Sequence, residues 1–227
     1  MQPKICVSVM ESTVKRTVST LRAVETHDPD FVEIRFDGMK SISKISEIRN
    51  ATRRPLIATN RSRNQGGLYS GTKENTARIL EQAAEVGFDY VDVELTTKGV
   101  GKTVTQLKQY GTSVMVSYHD RMLTPSLTAF ESILDREKRT GADICKIVGT
   151  AKYYVDCLRC LTFVSKHAQK AKLVCFSMGR LGIPSRVMSP IFGAHFTFAS
   201  PSSGRETAPG QLPIDKLRAL YRELEVT

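Results

Sequence analysis

Long apolar runs are missing from this sequence. No stretch approaches the roughly 18 residues that a transmembrane helix needs. The opening, MQPKICVSVMESTVKR, lacks the charged lead and apolar stretch of a signal peptide. We therefore expect a cytoplasmic protein with no membrane partner.

Cysteine is too scarce and too irregularly placed to predict a disulfide framework. The five cysteines form an odd set, and Cys6, Cys145 and Cys175 lie inside apolar runs, where a thiol acts as a small hydrophobe. Cys157 and Cys160 form a CxxC, but no second CxxC or histidine pair stands at zinc spacing. We interpret this motif as part of a helix face in a reduced compartment, and we predict no metal.

An aromatic and basic repeat of the kind that binds nucleic acid is also missing. The formal net charge is +10, from 33 basic and 23 acidic residues, yet the basic residues are spread along the chain. The charge can serve an anionic small substrate or simply solubility. We expect no nucleic-acid partner, and a non-catalytic nucleic-acid-binding protein is kept as an alternative.

What the sequence does contain is strand-like runs alternating with longer amphipathic segments over 227 residues. Such alternation predicts parallel strands joined by right-handed crossovers. Eight units is the number in a closed βα barrel (TIM barrel), with a doubly wound open sheet as the alternative. With 41% hydrophobic and 25% charged residues, we predict one α/β domain over 1–227. The predicted strands are ICVSV, FVEIRF, PLIATN, YVDVEL, SVMVSY, DICKIV, KLVCFS and AHFTF.

Helix signals fall between these runs. Thr72 precedes an apolar-periodic segment over about 77–86 that Gly87 stops, and Pro125 opens a segment that ends at Gly141. Glycine and proline interrupt the region after the seventh run, which predicts only a short helix there. The loop SPSSGRETAPG follows the last strand, so we expect residues 199–212, approximately, to form a lid over the active site.

Charged residues interrupt the strands in a shared phase. Glu33 and Arg35 are two apart in one strand, so both side chains project to one side, and we expect that side to be the barrel mouth. A buried structural ion pair is the alternative for these two. The intervals between Glu33, Arg61, Asp92, His119 and Lys146 are 28, 31, 27 and 27 residues, about one βα unit each. Equivalent points on successive strands therefore carry polar groups that should converge.

Lys146 and His119 are the predicted catalytic residues. A lysine within a central strand, between Ile144 and Ile147, is rarely found there unless it is paired or functional. Burial among aliphatic groups and nearby positive charge would lower its pKa from about 10.4 and free the amine to attack a carbonyl. His119 ends the adjacent strand, and a pKa near 6.5 suits proton transfer at neutral pH.

These residues occur in motifs that resemble a known family, the type I 3-dehydroquinate dehydratases of the shikimate pathway. The motifs EIRFDGM, RSRNQGG, VDVEL, VSYHD, GADICKIVGTA, SMGRLGIPSRVMSPIFGAHFTFAS and TAPGQ occur in the family's order over nearly the whole chain. The resemblance implies dehydration of 3-dehydroquinate to 3-dehydroshikimate, a step of aromatic amino acid biosynthesis. It implies an imine on Lys146, proton transfer by His119, no cofactor and a homodimer.

The resemblance also implies a set of substrate-binding residues. Arg186 would bind the carboxylate, Gln211 and Thr207 would close from the lid, and ring hydroxyls would be held by Glu33, Arg35 and Arg61. Met178 and Phe198 match apolar wall positions, with a plain core role as the alternative.

The chain departs from the family pattern at two positions. Gln65 stands where the family usually has glutamate, so we expect His119 to rely on Asp92 or Glu94 instead. Thr207 replaces a serine and keeps the hydroxyl.

Two other enzyme classes use such a lysine. A class I aldolase also forms an imine, but its phosphate substrates would need a glycine-rich cradle, for which SPSSGRETAPG is only a loose candidate. A pyridoxal phosphate enzyme would need a phosphate cradle too, and none is clear.

Overall fold

Eight parallel strands form a nearly closed barrel in the computed structural model, which describes residues 2–226. The sheet order is β7-β6-β5-β4-β3-β2-β1-β8. The remaining seam lies between β7 and β8, where the His195 N–H donates to the Leu173 carbonyl at 2.7 Å. The predicted barrel is therefore confirmed, and the alternative of a doubly wound open sheet is wrong. The strands are β1 Ile5–Val9, β2 Phe31–Arg35, β3 Leu56–Thr59, β4 Tyr90–Glu94, β5 Ser113–His119, β6 Ile144–Thr150, β7 Leu173–Met178 and β8 Thr197–Ala199.

Helices connect the strands and cover the barrel. They are α1 Val14–Glu25, α2 Ser46–Asn50, α3 Lys73–Glu85, α4 Val100–Lys108, α5 Leu127–Arg139, α6 Val155–His167, α7 Ile183–Met188 and α8 Ile214–Glu223. The Thr72 hydroxyl caps α3 by accepting the Asn75 N–H at 3.2 Å, and Gly87 follows the helix with φ +90°. The fifth helix begins after Ser126, whose hydroxyl accepts the Ala129 N–H, so the predicted start at Pro125 is slightly too early.

The inward faces of the strands change from apolar to polar along the barrel axis. Phe31, Met115 and Ile144 lie in the apolar cluster inside the barrel. Two residues further along the same faces come Glu33, Ser117 and Lys146, because side chains alternate with a period of two. The polar groups therefore meet at the C-terminal ends of the strands, as predicted. The outward faces pack against the helices in a second, larger apolar cluster.

Two connections bear on the sequence predictions. The short helix predicted after β7 is confirmed as α7, and residues 200–213, called the lid loop below, join β8 to α8. Cys157 and Cys160 are both buried on α6, as the helix interpretation predicts. No helix within residues 2–226 is long and apolar enough to cross a membrane.

Candidate active site

One cavity at the C-terminal end of the barrel brings all the predicted site residues together. Its volume is about 220 Å³. It is lined by the predicted catalytic pair, His119 and Lys146, and by the six predicted binding residues, Glu33, Arg35, Arg61, Arg186, Thr207 and Gln211. Met178 and Phe198 also line it, together with Ser8 and Gln65.

Lys146 projects into this cavity from the middle of β6 and is only 4% exposed. Its Nζ lies 3.2 Å from Asp92 Oδ2, 3.8 Å from Glu33 Oε1 and 4.2 Å from the centre of the Phe198 ring. The sequence predicted aliphatic groups and positive charge around this lysine. The structure adds two carboxylates, Asp92 and Glu33, which face the amine. These carboxylates and the aromatic face suit a cationic nitrogen.

Asp92 connects Lys146 to a buried arginine. Arg61 forms an ion pair with Asp92 and donates to the Ser117 hydroxyl at 2.8 Å, and Ser117 donates to Asp92 at 2.5 Å. Burial alone would raise the pKa of Asp92, but Arg61 and Lys146 outweigh it and hold this pKa below the ordinary value. Asp92 is therefore a carboxylate that orients its two cationic neighbours.

His119 ends β5 beside this network. Loss of water around the ring, and then the charges of Arg61 and Lys146, lower the pKa of His119 well below 6.5. The imidazole is therefore neutral at neutral pH and can accept a proton. Among the described residues, its Nδ1 is buried without a hydrogen-bond partner.

The prediction that His119 pairs with Asp92 or Glu94 is wrong. Asp92 is occupied by Arg61, Ser117 and Lys146, and both Glu94 oxygens accept from Ser62, each at 2.9 Å. Gln65 reaches His119 instead, but through the backbone, because its Oε1 accepts the His119 N–H at 2.9 Å. Gln65 thus positions the end of β5 and leaves the imidazole without a carboxylate.

Arg186 lies on α7 and is 2% exposed. Its guanidinium lies 4.2 Å from the centre of the Phe176 ring and donates to the Pro209 carbonyl at 3.4 Å. Within residues 2–226 no acid lies within ion-pair distance of it. Burial lowers the pKa of Arg186 to about 9. A buried guanidinium facing a cavity without an acid partner is suited to bind an anion.

The lid loop reaches this cavity through Thr207 and Gln211. Gln211 Oε1 accepts the Thr207 N–H at 2.7 Å, and Gln211 Nε2 donates to the Ser8 hydroxyl at 3.3 Å. Ser8 donates in turn to Glu33 at 2.6 Å. Arg35, which lies on β2 with Glu33, forms a separate ion pair with Asp37 at 2.7 Å. The loop is therefore connected by hydrogen bonds to the carboxylate beside Lys146.

Sequence reasoning missed Ser8. It lies 25 residues before Glu33, close to one βα unit, and so falls within the same interval as the other inward polar positions. A small hydroxyl in an apolar strand was the available signal, and serine is too common in strands for that signal to stand out.

Fold and site together define a single-barrel βα enzyme with a buried lysine at its polar centre. The family model for type I 3-dehydroquinase matches residues 5–227. The chain belongs to the type I 3-dehydroquinase family, whose members are carbon–oxygen lyases (hydro-lyases) of the shikimate pathway.

Individual relatives agree with this assignment. The chain is 37% identical over 227 residues to the 3-dehydroquinate dehydratase of Methanothermobacter thermautotrophicus, covering 99% of this chain and 98% of the relative. It superposes on the crystal structure of 3-dehydroquinate dehydratase from Geobacillus kaustophilus with a TM-score of 0.92 at 26% identity, covering 99% and 92% of the two chains. The crystal structure of the type I enzyme from Clostridium difficile, solved with covalently modified comenic acid, superposes with a TM-score of 0.87 at 25% identity. The match covers 98% of this chain and 92% of that one.

Proposed function

We propose that this protein dehydrates 3-dehydroquinate to 3-dehydroshikimate through a Schiff base on Lys146, with His119 as the acid and base. The observation that carries the proposal is one cavity that holds Lys146, the neutral His119 and the buried Arg186. The family match supports this reaction over aldol cleavage of a sugar phosphate. We also keep the cytoplasm as the predicted location.

The reaction begins at the lysine nitrogen. The ammonium of Lys146 first gives one proton to the neutral ring of His119, and the free amine adds to the ketone. The carbinolamine takes that proton back as it loses water, which leaves a protonated imine and a neutral His119. Asp92 at 3.2 Å and the Phe198 ring at 4.2 Å lie where they would stabilise the positive charge on this nitrogen.

His119 then moves one proton twice. The protonated imine withdraws electrons and acidifies the adjacent carbon–hydrogen bond, whose proton passes to the imidazole. The enamine expels the β-hydroxyl, which takes the same proton and leaves as water. A second water hydrolyses the imine and restores Lys146, so the net change is loss of one water.

Arg186 would bind the substrate carboxylate, because a planar guanidinium can donate two parallel hydrogen bonds to it. Glu33, Arg35 and Arg61 would surround the ring hydroxyls, and Gln211 with Thr207 would cover the substrate from the lid loop. This arrangement turns the substrate so that the ketone faces Lys146.

Borohydride trapping tests the Schiff base. With 3-dehydroquinate and sodium borohydride, we expect a reduced adduct whose mass matches the bound compound and which peptide mapping places on Lys146. Lys146→Met should form no adduct, and Lys152→Met, in the loop after β6, should form it normally. An adduct mapped elsewhere, or none in an active preparation, contradicts the mechanism. His119→Ala should still form the reduced adduct but lose turnover. The wild-type protein should not cleave sugar phosphates.

We propose that the protein is a homodimer that pairs through an apolar patch on the β5–α5 connection, the β6–α6 connection and the start of α6. Its six members are 50% to 73% exposed: Met122, Leu123, Tyr153, Tyr154, Val155 and Leu158. The two connections are adjacent, because the Thr150 N–H donates to the Leu123 carbonyl at 3.1 Å. A stable interface needs about 800 Å² from each partner, and a cluster of six exposed large apolar side chains goes beyond the scattered single ones that are normal on a monomer. A two-fold axis can pair this patch with itself without any charge pairing.

Light scattering after size-exclusion chromatography tests this surface. The wild-type protein should have the mass of two chains, and Leu158→Asp should have the mass of one, because the contact would bury an unpaired charge. Leu224→Asp, directly after the C-terminal end of α8 and so at the opposite end of the barrel from the β–α connections, is the matched control and should stay dimeric. A monomeric wild type, or a dimeric Leu158→Asp, contradicts the proposal.

A further inference from the structure

The lid loop has two limbs that are held in different ways. Its base is closed by hydrogen bonds from the Ser200 N–H to Leu212 O at 2.9 Å and from the Ile214 N–H to Ser200 O at 3.0 Å. The second limb, 207–211, is held at β7, where the Gly179 N–H donates to the Pro209 carbonyl at 3.1 Å. This limb carries the two side chains that enter the active site.

The first limb, 201–206, extends to the other neighbour of β8, the segment that follows β1. Among the hydrogen bonds and ion pairs of residues 2–226, only those of Arg205 connect this limb to another element. Arg205 forms an ion pair with Glu11, which follows β1, and donates to the Thr20 hydroxyl on α1 at 3.3 Å. The position of the limb therefore depends on one arginine.

Glu11 is already oriented to receive that arginine. Its side chain is 4% exposed and accepts from Thr20 Oγ1 at 2.8 Å and from Arg16 Nε at 3.0 Å. Arg205, in contrast, is 42% exposed. A charge-assisted bond to a buried, oriented carboxylate is stronger than an ordinary surface pair, while an exposed guanidinium can leave into water. The pair can therefore both hold and release the loop.

We propose that Glu11 and Arg205 form a latch that holds the lid loop over the substrate, which makes them positioning residues for Gln211 and Thr207. The inference rests on the proposed dehydratase function. When the latch is closed, the loop is held on both sides of β8, at the end of β7 through Pro209 and after β1 through Arg205, and Gln211 stays against Ser8. Substrate entry and product release require Arg205 to leave Glu11.

Kinetics of Arg205→Gln test the latch. The variant should raise KM for 3-dehydroquinate about tenfold, the value of one charge-assisted hydrogen bond. The kcat should change less than about twofold, because the lost contact holds substrate and transition state alike. Arg205→Lys should recover part of the loss. In the double variant with Glu11→Gln, the two effects should not add, because both changes remove the same contact.

Arg16→Gln is the matched control. It removes the other cation on Glu11 without touching the lid loop, so KM should stay near the wild-type value. Equal KM increases in Arg16→Gln and Arg205→Gln would overturn the latch, since the effect would then arise in α1. An unchanged KM in Arg205→Gln would overturn it as well.

Hydrogen exchange without substrate separates the latch from the proposed function. Amides of 200–206 should exchange faster in Arg205→Gln than in wild type or Arg16→Gln, while those of α1 stay unchanged. Faster exchange in an enzyme without dehydratase activity would sink the function and leave the latch standing. Unchanged exchange in an active dehydratase would do the reverse.

Discussion

At the scale of single residues, His119 is the unusual feature of the site. Among residues 2–226 its ring forms no ion pair with a carboxylate. Asp92 and Glu94, the two expected partners, are bound instead to Arg61, Ser117, Lys146 and Ser62. Positive neighbours and loss of water lower the pKa of His119 well below 6.5. The imidazole stays neutral as the pH falls toward 6, so its capacity as a base should persist there.

Gln65→Glu should reverse this property. A carboxylate beside His119 stabilises the imidazolium and raises the pKa of the imidazole, so the acid limb of kcat/KM should move to higher pH. Below the new pKa, activity should fall about tenfold per pH unit. The measurement is a pH profile of both proteins, with Gln65→Ala as the control for lost positioning alone. A profile that keeps the wild-type acid limb in Gln65→Glu would show that residue 65 does not influence the ring.

At the scale of elements, α5 carries a buried acid that takes no part in the proposed reaction. Glu137 is 0% exposed, and neither carboxylate oxygen has a hydrogen-bond partner in the part of the chain that the structure describes. Burial, and secondly the charge of Asp92, raise the pKa of Glu137 well above 4.5. The last turn of α5 therefore packs on the barrel with a buried carboxyl whose charged form is disfavoured.

Glu137→Met should stabilise the protein more at pH 8 than at pH 5. A raised pKa means that the folded state holds its proton after the unfolded chain has lost it, so wild-type stability falls as pH rises above about 4.3 toward the folded pKa. Methionine has no such dependence, and removing the unpartnered carboxyl should add about 1–3 kcal/mol to the free energy of unfolding. Urea unfolding at both pH values measures this. An equal difference at pH 5 and pH 8 would show that Glu137 does not titrate with folding.

At the scale of the whole molecule, the net charge and the active site both favour an anionic ligand. The chain carries a formal charge of +10. The cavity is lined by arginines at 35, 61 and 186, and it receives a carboxylate in the proposed reaction. A positive protein raises the encounter rate with an anion, and dissolved salt screens this attraction.

The salt dependence of kcat/KM decides whether the charge steers substrate. Raising ionic strength from about 20 mM to about 300 mM shortens the Debye length severalfold, so kcat/KM should fall severalfold while kcat at saturation stays constant. Potassium chloride avoids a competing carboxylate. A flat kcat/KM would leave solubility as the role of the charge.

The sequence was enough to predict a parallel βα fold, with the closed barrel favoured over an open sheet, and the inward set of polar residues. Strand alternation and the period of two are local properties of the backbone, so Glu33, Arg35 and Lys146 could be assigned to one face before any strand was paired. Their spacing at one βα unit then placed them at one end of the barrel. The N-cap of α3, Thr72, could also be predicted. The start of α5 was predicted at Pro125, but the helix begins after Ser126, which is the better capping residue.

The contacts between individual polar groups could not be predicted from the sequence. Asp92 and Glu94 belong to one strand, yet one faces Lys146 and the other is bound to Ser62, so neither reaches His119. Glu11 and Arg205 come from opposite ends of the chain and meet because β1 and β8 are neighbours in the barrel. Pairing of this kind depends on side-chain rotamers and loop paths that packing selects among distant segments, and no local period records that selection.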